Sequence, residues 1–262
     1  MCRMLAYLGD DILLSRLLLE PQHSLEKQAW QPRELRETKL NADGFGFAWY
    51  NTATEKKLPL PALYRHTLPI WNDPNLYHLA NTMSQPLWLA MVRSATPGLG
   101  VSLENTQPFC HQQWSFMHNG YLLDFKGETQ HKLRDLLSDE FLYLIKGNTD
   151  SEYIFALLMQ YLVNEPPQTA ISSCMQTLTK IIKEKRALLN IILSDGKNIY
   201  ATRHAINGLS PSLYYTNSSD EFGAGNQLVV SEKLNQESHW QSINEHKIIF
   251  IQADKPVGII DL

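Results

Sequence analysis

The stretch Met1-Cys2-Arg3-Met4-Leu5-Ala6-Tyr7-Leu8-Gly9 decides the fold, because it joins a reactive side chain to a short apolar segment. Its length and apolar character predict a buried strand over Cys2–Gly9, with Cys2 at the end of a sheet. If Met1 is removed, Cys2 becomes the N-terminal residue, and its α-amino group can accept the proton of its own thiol near neutral pH. The alternative is a cysteine that merely begins a buried strand, which is the more common case for an isolated Cys2.

The composition is that of an ordinary globular protein of 262 residues. Hydrophobic residues make up 44% and charged residues 19% of the chain, which is enough apolar material for a large core. The formal net charge is -4 and no cluster of Lys and Arg occurs, so we expect no nucleic-acid surface. We expect one domain over residues 2–262, without an internal repeat or linker.

Cysteine usage and hydropathy favour a cytoplasmic protein with no membrane segment. Cys2, Cys110 and Cys174 are widely separated and odd in number, which predicts neither a disulfide framework nor a zinc site. Residues 1–10 lack the basic start and long apolar stretch of a secretory signal. No apolar run reaches the roughly 18 residues of a membrane span. We expect neither a metal nor a cofactor.

Periodicity along the chain predicts strands, then two central helices, then strands again. Asp10 and Asp11 are expected to cap a helix over Ile12–Leu19, and the two central helices follow Thr149. After Ala187 the pattern changes to short apolar runs separated by turns. This order favours an α+β fold with two sheets packed between helical layers rather than a parallel βαβ fold.

An arginine and an Asn-Gly pair follow two of the predicted strands. Leu87–Val92 delivers Arg93 to a loop rich in Gly and Pro, and an arginine in this position suits an anion. A surface or salt-bridged arginine is the ordinary alternative. Trp114–Met117 is expected to end in a turn at His118-Asn119-Gly120, since Asn-Gly is a strong turn signal.

The start of the first central helix carries a capping signal. Thr149 and Glu152 have the spacing of a capping box, in which each side chain bonds a backbone N–H of the other residue. This gives both residues a structural explanation. Asp150 has none, although it lies at the same helix start.

Together these motifs resemble the class II glutamine amidotransferases, which are N-terminal nucleophile hydrolases. The resemblance rests on Cys2 and on motifs that follow it in the family's order: Asp43-Gly44-Phe45-Gly46, Arg93-Ser94-Ala95-Thr96, Asn105-Thr106-Gln107-Pro108-Phe109, His118-Asn119-Gly120 and Thr149-Asp150-Ser151-Glu152. Within the superfamily, the residues around Asp43, Arg93 and Asn105 look most like the ergothioneine-biosynthesis γ-glutamyl hydrolases (EgtC-like). The resemblance implies a four-layer αββα sandwich of two mostly antiparallel sheets between helical layers.

The resemblance also implies the catalytic groups. The Cys2 thiolate would attack the δ-carbonyl of a γ-glutamyl substrate, and water would later hydrolyse the thioester. The Asn119 side chain and the Gly120 backbone N–H would stabilise the oxyanion. Because the amine of Cys2 serves as base, we assign His118 no catalytic role and expect it to shape the turn that presents Asn119.

Three further residues are implied to bind the glutamyl group. Arg93 would hold its α-carboxylate in a bidentate fork, with the Thr96 hydroxyl in support. Asp150 would hold its α-ammonium. Two departures affect the pocket wall, because many amidotransferases have histidine where this chain has Gln107 and tryptophan where it has Ser94. They put the range of substrates in doubt.

The function that the resemblance implies is a γ-glutamyl amide hydrolase acting on a γ-glutamyl cysteine-type compound such as γ-glutamyl-hercynylcysteine sulfoxide. No segment is expected to form a synthetase or isomerase domain. Three alternatives stay open: a glutaminase subunit that supplies ammonia to a separate partner synthase, a subunit that degrades γ-glutamyl peptides such as glutathione, and a non-catalytic γ-glutamyl-binding protein. The leaving group must be recognised by loops such as Pro21–Lys39, whose sequence indicates no chemistry.

Overall fold

The computed structural model describes residues 1–35, 40–50, 59–95, 98, 100–253 and 255–262. Its helices are α1 (Ser15–Leu18), α2 (Leu25–Trp30), α3 (Leu76–Ala80), α4 (Gln130–Leu136), α5 (Asp139–Leu142), α6 (Asp150–Leu162) and α7 (Pro167–Ile182). Its strands are β1 (Arg3–Leu13), β2 (Phe45–Tyr50), β3 (Pro61–His66), β4 (Ser84–Val92), β5 (Phe109–His111), β6 (Trp114–Leu122), β7 (Ala187–Ser194), β8 (Asn198–Arg203), β9 (Ala205–Ile206), β10 (Tyr214–Ser219), β11 (Gly223–Val230), β12 (Gln241–Ser242), β13 (Lys247–Gln252) and β14 (Gly258–Asp261).

The strands form two antiparallel sheets. The order in the first sheet is β12-β10-β11-β1-β4-β2-β3, and in the second it is β14-β13-β8-β7-β6-β5, with β9 also pairing with β7. β1 therefore lies in the middle of its sheet, between β4 and β11. The first strand of the chain is thus held on both sides by strands from later in the sequence.

Alternation along β1 separates the layers. Leu5 and Tyr7 pack outward into a cluster with α1, α2 and α3, whereas Met4 and Ala6 face the second sheet. On the far side of the second sheet, its outer face packs against α6 and α7. The predicted αββα arrangement of two antiparallel sheets between helical layers is confirmed.

The predicted helix after the first strand starts later than expected. Ile12 and Leu13 pair with Gln85 and Ser84 after an irregularity in the register, so β1 continues to Leu13. α1 begins only at Ser15. The prediction that Asp10 and Asp11 cap a helix was wrong, because pairing with β4 outweighs the local capping signal.

The turn predicted at Asn119-Gly120 was also wrong. Both residues lie inside β6 and pair with Asn190 and Leu189 of β7. Glycine is required here by close packing, since a Cβ at position 120 would come within 1.8 Å of the Leu188 carbonyl oxygen. The same Asn-Gly pair that favours a tight turn is therefore used for a close strand approach.

Other predictions of local structure hold. Thr149 and Glu152 form the predicted capping box at the start of α6. The hairpin predicted after Ala187 is present as β7 and β8, whose turn is closed by the Asp195 carboxylate. The hairpin connection predicted near residues 51–57 lies outside the described residues. In the described part of the chain, no helix has the length and apolar character needed to cross a bilayer.

Candidate active site

Cys2 lies beside Arg93 at the ends of two central strands. Arg3 at the start of β1 pairs with Val92 at the end of β4. Cys2, which precedes β1, therefore lies next to Arg93, which follows β4. The Cys2 side chain is 8% exposed and belongs to the cluster between the two sheets. Its Sγ lies 3.8 Å from the Ser94 carbonyl oxygen, a long contact that holds the thiol weakly.

Arg93 is a buried cation whose bonds go to neutral groups. Its guanidinium donates to the backbone oxygens of Asp43 at 3.2 Å and Gly100 at 3.4 Å. Within the described residues, no carboxylate lies at salt-bridge distance from it. A buried positive charge without a counter-ion is costly, so this position favours an anionic ligand.

Asp150 joins the start of α6 to the end of β6. Its Oδ2 accepts a hydrogen bond from the Leu122 N–H at 2.7 Å, and its Oδ1 accepts one from the Ser151 N–H at 2.8 Å. The side chain is 5% exposed. Asp150 therefore joins two elements of the site and also contributes a carboxylate to the pocket that Arg93 lines.

Alternate N–H groups of β6 point away from β7, toward the pocket that contains Cys2. His118 donates its N–H to Gln107 Oε1 at 2.6 Å, and Leu122 donates its N–H to Asp150, both on the side away from β7. Because N–H directions alternate along a strand, the Gly120 N–H points to the same side, between these two. Gly120 also lines the pocket that contains Cys2.

Asn119 carries an unusual amide. Its side chain is fully buried, and neither Oδ1 nor Nδ2 has a hydrogen-bond partner among the described residues. Leaving a buried polar atom unpaired costs about 1 to 3 kcal/mol. By strand alternation, Asn119 faces the same inter-sheet layer as Met117 and Cys2. A costly unpaired donor in this layer is expected at a site that stabilises charge only during a reaction.

His118 is fully engaged as a structural group. Its Nε2 donates to the Leu188 carbonyl oxygen at 2.9 Å, and its Nδ1 accepts from the Ser151 hydroxyl at 2.8 Å. Complete burial lowers the pKa of His118, which favours the neutral ring that this pattern requires. His118 braces β6 against β7 and α6; it shapes no turn, because β6 has none there.

Asn105 holds the two halves of the site together. Its Nδ2 donates to the Gly100 carbonyl oxygen at 2.9 Å, and its Oδ1 accepts from the Asn148 N–H at 3.1 Å. The loop after Arg93 is thereby tied to the start of α6. The sequence placed Asn105 within a family motif but gave no signal of this bridging role.

A buried ionic network lies behind Cys2 and was not foreseen from the sequence. Arg3 donates from Nε to the Cys2 carbonyl oxygen at 2.6 Å and pairs with Glu232 at 3.1 Å. Glu232 also contacts His23 Nε2 at 2.7 Å. Burial raises the pKa of Glu232, but hydrogen bonds from His23 and Arg33 and the charge of Arg3 outweigh burial and bring it below its usual value. Arg3 beside Cys2 was the only sequence signal.

Four of the six predicted site residues, Cys2, Arg93, Gly120 and Asp150, line one pocket, whereas Asn119 is fully buried beside Gly120 on β6 and does not line it. Thr96 is the sixth and lies outside the described residues. The residues that line the pocket are Cys2, Arg93, Ser94, Asn105, Gln107, His118, Gly120, Thr149, Asp150 and Ser151. In the described residues, no group of three His, Cys, Asp or Glu side chains could hold a metal ion.

Comparison with known sequences identifies relatives of this chain. A profile of the family described as class-II glutamine amidotransferases matches residues 13–260, a match that starts after Cys2. The probable glutamine amidotransferase DUG3 of Saccharomyces cerevisiae is 31% identical over 98% of this chain and 76% of its own length. The gamma-glutamyl-hercynylcysteine sulfoxide hydrolase of Mycobacterium tuberculosis is 34% identical over 46% of this chain and 49% of its own length.

Solved structures share the fold. A glutamine aminotransferase class-II domain protein from Silicibacter pomeroyi superposes with a TM-score of 0.72 and 26% identity, covering 99% of both chains. The glutamine phosphoribosylpyrophosphate amidotransferase of B. subtilis superposes with a TM-score of 0.68 over 100% of this chain and 49% of its own. The B. subtilis enzyme shares only 14% identity with this chain, so this likeness shows the fold alone.

Proposed function

The chain belongs to the class II glutamine amidotransferases and is a hydrolase that acts on amide bonds, and from this premise we propose that it is a γ-glutamyl amide hydrolase with Cys2 as its N-terminal nucleophile. One observation carries the proposal. A thiol, a buried cation and a buried carboxylate, those of Cys2, Arg93 and Asp150, line a single pocket. A γ-glutamyl group presents a carbonyl, an α-carboxylate and an α-ammonium, which these three groups complement.

In the proposed reaction, the α-amine exposed by loss of Met1 accepts the proton of the Cys2 thiol. The thiolate attacks the δ-carbonyl carbon, forming a C–S bond and placing negative charge on the oxygen. The Asn119 Nδ2 and the Gly120 N–H donate to that oxygen, and one such donor contributes about 2.7 to 4 kcal/mol. The C–N bond then breaks, and the leaving amine takes the proton from the Cys2 ammonium.

The second half of the reaction releases glutamate. A water molecule gives a proton to the Cys2 amine and attacks the thioester carbon, through the same oxyanion site. The C–S bond breaks and the thiol is regenerated. Throughout, Arg93 holds the α-carboxylate and Asp150 the α-ammonium, so the carbonyl stays in line with the thiol. Thr96 is proposed to support Arg93.

The substrate class is the finer part of the proposal. We favour a γ-glutamyl cysteine-type compound such as γ-glutamyl-hercynylcysteine sulfoxide, which is supported by the mycobacterial relative over about half of either chain. A glutaminase subunit with a partner synthase, or a subunit that degrades γ-glutamyl peptides such as glutathione, is the second candidate. It is favoured by the likeness to a probable glutamine amidotransferase over three quarters of that protein. A cytoplasmic location accords with three free cysteines, since the mechanism needs a reduced thiol.

The test combines mass and labelling. Intact mass is expected to show loss of Met1, and 6-diazo-5-oxonorleucine is expected to label Cys2. Turnover is then measured on glutamine and a panel of γ-glutamyl compounds with the wild type, with Cys2→Ala, and with Cys110→Ala as a matched thiol control. Activity that survives Cys2→Ala, or full activity with Met1 retained, refutes the mechanism. Rapid turnover of glutamine alone refutes the favoured substrate class, and binding without turnover supports the non-catalytic alternative.

A further inference from the structure

We propose that Gln107 is a positioning residue, whose side-chain amide takes the place of a strand residue beside His118 and thereby holds the Gly120 N–H at a fixed distance from the Cys2 thiol. The proposal rests on the γ-glutamyl hydrolase function and extends it. Gln107 is buried, at 4% exposed, and lines the pocket that contains Cys2. Its role follows from what its side chain and its backbone each contact.

The Gln107 amide continues the pairing of β5 with β6 beyond the first residue of β5. Phe109 of β5 pairs with Phe116 of β6. Two residues further along in this register, position 107 lies opposite His118. There the Gln107 Oε1 accepts the His118 N–H at 2.6 Å, and its Nε2 donates to the His118 carbonyl oxygen at 3.2 Å. A hydrogen-bonded strand pair exchanges these same two bonds, so the side chain replaces the peptide of a neighbouring strand.

The backbone of Gln107 is held against the other sheet. A Cβ at Gly46 of β2 would come within 2.5 Å of the Gln107 carbonyl oxygen, so glycine at that position lets the loop pack closely. Arg65 of β3 donates from Nη1 to the neighbouring Thr106 carbonyl oxygen at 2.9 Å. Both strands belong to the sheet that contains β1. Gln107 therefore contacts the first sheet through its backbone and the second sheet through its side chain.

The proposed reaction needs such a connection, because the nucleophile and the oxyanion donor come from different sheets. Cys2 precedes β1 of the first sheet, whereas Gly120 lies on β6 of the second. The donor must stay within hydrogen-bond reach of the oxygen that becomes negative when the thiol attacks. A displacement of about 1 Å between reacting groups can cost about 100-fold in rate. A bond that fixes β6 relative to β1 therefore protects the rate.

Gln107 acts at the edge of β6 that carries the donor. It holds this edge at His118, and the Asp150 carboxylate holds the same edge at Leu122. The Gly120 N–H lies midway between these two peptides and points to the same side. Removing the Gln107 amide leaves the edge held at Leu122 alone, so the Gly120 N–H is expected to lose its fixed position.

The test uses Gln107→Met, which keeps the length of the side chain but can make neither bond. The kcat on γ-glutamyl-p-nitroanilide measures the reaction, and the inhibition constant of glutamate measures binding of the glutamyl group without attack on a carbonyl. We expect kcat to fall roughly 10- to 100-fold while the inhibition constant stays within about twofold of the wild type. A role in the fold alone would not separate these two quantities.

Gln227 is the matched control, because it is another buried glutamine that joins the two sheets. It lies on β11 of the first sheet and is 3% exposed, and its Nε2 donates to the Gln252 carbonyl oxygen of β13 at 2.9 Å. Gln227 pairs with Leu8, which is six residues from Cys2, or roughly 20 Å along β1. Gln227→Met is expected to lower the free energy of unfolding in urea but to keep kcat and the inhibition constant.

If Gln107→Met does not fold, Gln107→Asn decides, since its amide is polar but one methylene too short to reach His118. A kcat within about threefold of the wild type in the folded variant overturns the positioning role and leaves the proposed function standing. An inhibition constant that rises as much as kcat falls also overturns it, because Gln107 would then bind the glutamyl group. An equal loss of kcat in Gln227→Met does the same. If wild-type protein that has lost Met1 turns over no γ-glutamyl compound, the proposed function itself is refuted.

Discussion

Replacing Asn119 by alanine is expected to reduce catalysis strongly while leaving the fold about as stable as before. If Asn119 Nδ2 stabilises the oxyanion, its loss costs about 2.7 to 4 kcal/mol of transition-state stabilisation, or roughly 100- to 1,000-fold in kcat. The free energy of unfolding depends instead on two opposing effects. The substitution removes two buried amide atoms that have no partner among the described residues, each of which costs about 1 to 3 kcal/mol.

The cavity left by the lost atoms offsets this gain, since deleting buried atoms removes their packing contacts. The two effects have similar size, so we expect the free energy of unfolding to stay within about 1 kcal/mol of the wild type. Asn190 is the matched control. It is fully buried directly opposite Asn119 on β7, but its Nδ2 donates to the Pro211 carbonyl oxygen at 3.0 Å and its Oδ1 accepts from the His204 N–H at 3.3 Å.

Asn190→Ala is therefore expected to lose about 1 to 3 kcal/mol of stability in addition to the cavity cost. The assays are urea unfolding and the steady-state kcat on γ-glutamyl-p-nitroanilide. The reasoning fails if Asn119→Ala keeps kcat within tenfold of the wild type. It also fails if Asn119→Ala destabilises the protein as much as Asn190→Ala does, because the Asn119 amide would then have a bonding role in the fold.

Three further outcomes are expected. Thr149→Ala should lower the free energy of unfolding by about 1 kcal/mol through loss of the helix cap, as measured in urea. Asp150→Asn should raise KM for γ-glutamyl substrates at least tenfold because the ammonium loses its counter-ion, and it should also lower the melting temperature, because an amide has one acceptor oxygen and cannot accept from the N–H groups of both Leu122 and Ser151. Glu232→Gln should cost about 3 to 5 kcal/mol by leaving Arg3 as a buried unpaired charge. Because the pKa of Glu232 is lowered in the folded protein, ionised Glu232 contributes to the free energy of unfolding at pH values above the ordinary glutamate pKa near 4.3. This contribution is lost as the pH falls through the pKa of the folded protein. Glu232→Gln should therefore also make the free energy of unfolding less dependent on pH in the acid range.

The layer architecture and the helix cap were predictable because each depends on a local pattern. The apolar strand at Cys2, the strand before Arg93 and the capping box at Thr149 all carry their signal within a few residues. The predictions that were wrong concern segments whose structure depends on partners from distant parts of the chain. β1 continues past Asp10 because Ser84 and Gln85 pair with it, and Gly120 stays in a strand because β7 passes close beside it.

The candidate site was predictable as a set of groups but not as a geometry. Resemblance to a family is sufficient to point to Cys2, Arg93, Asn119 and Asp150 from the sequence. The direction of the Gly120 N–H, and the lack of a partner for the Asn119 amide among the residues the structure describes, depend on which way each residue of β6 faces, and the spacing of the motifs does not determine this. The Arg3-Glu232 pair joins residues 229 positions apart, and a lone glutamate after a strand gives no sequence signal of such a partner.

The central place of β1 has a consequence for how the protein is made. β1 is synthesised before the strands that flank it, and its neighbour β11 begins at residue 223, so more than 200 residues must be translated after β1 begins before the strand can be flanked on both sides. At about 5 to 20 residues per second, that interval lasts roughly 10 to 40 seconds. Through all of it β1 is not yet part of a completed sheet. Under the proposed mechanism this interval is the time in which an aminopeptidase can reach Met1, so the length of the chain after β1 sets the time for removal of Met1.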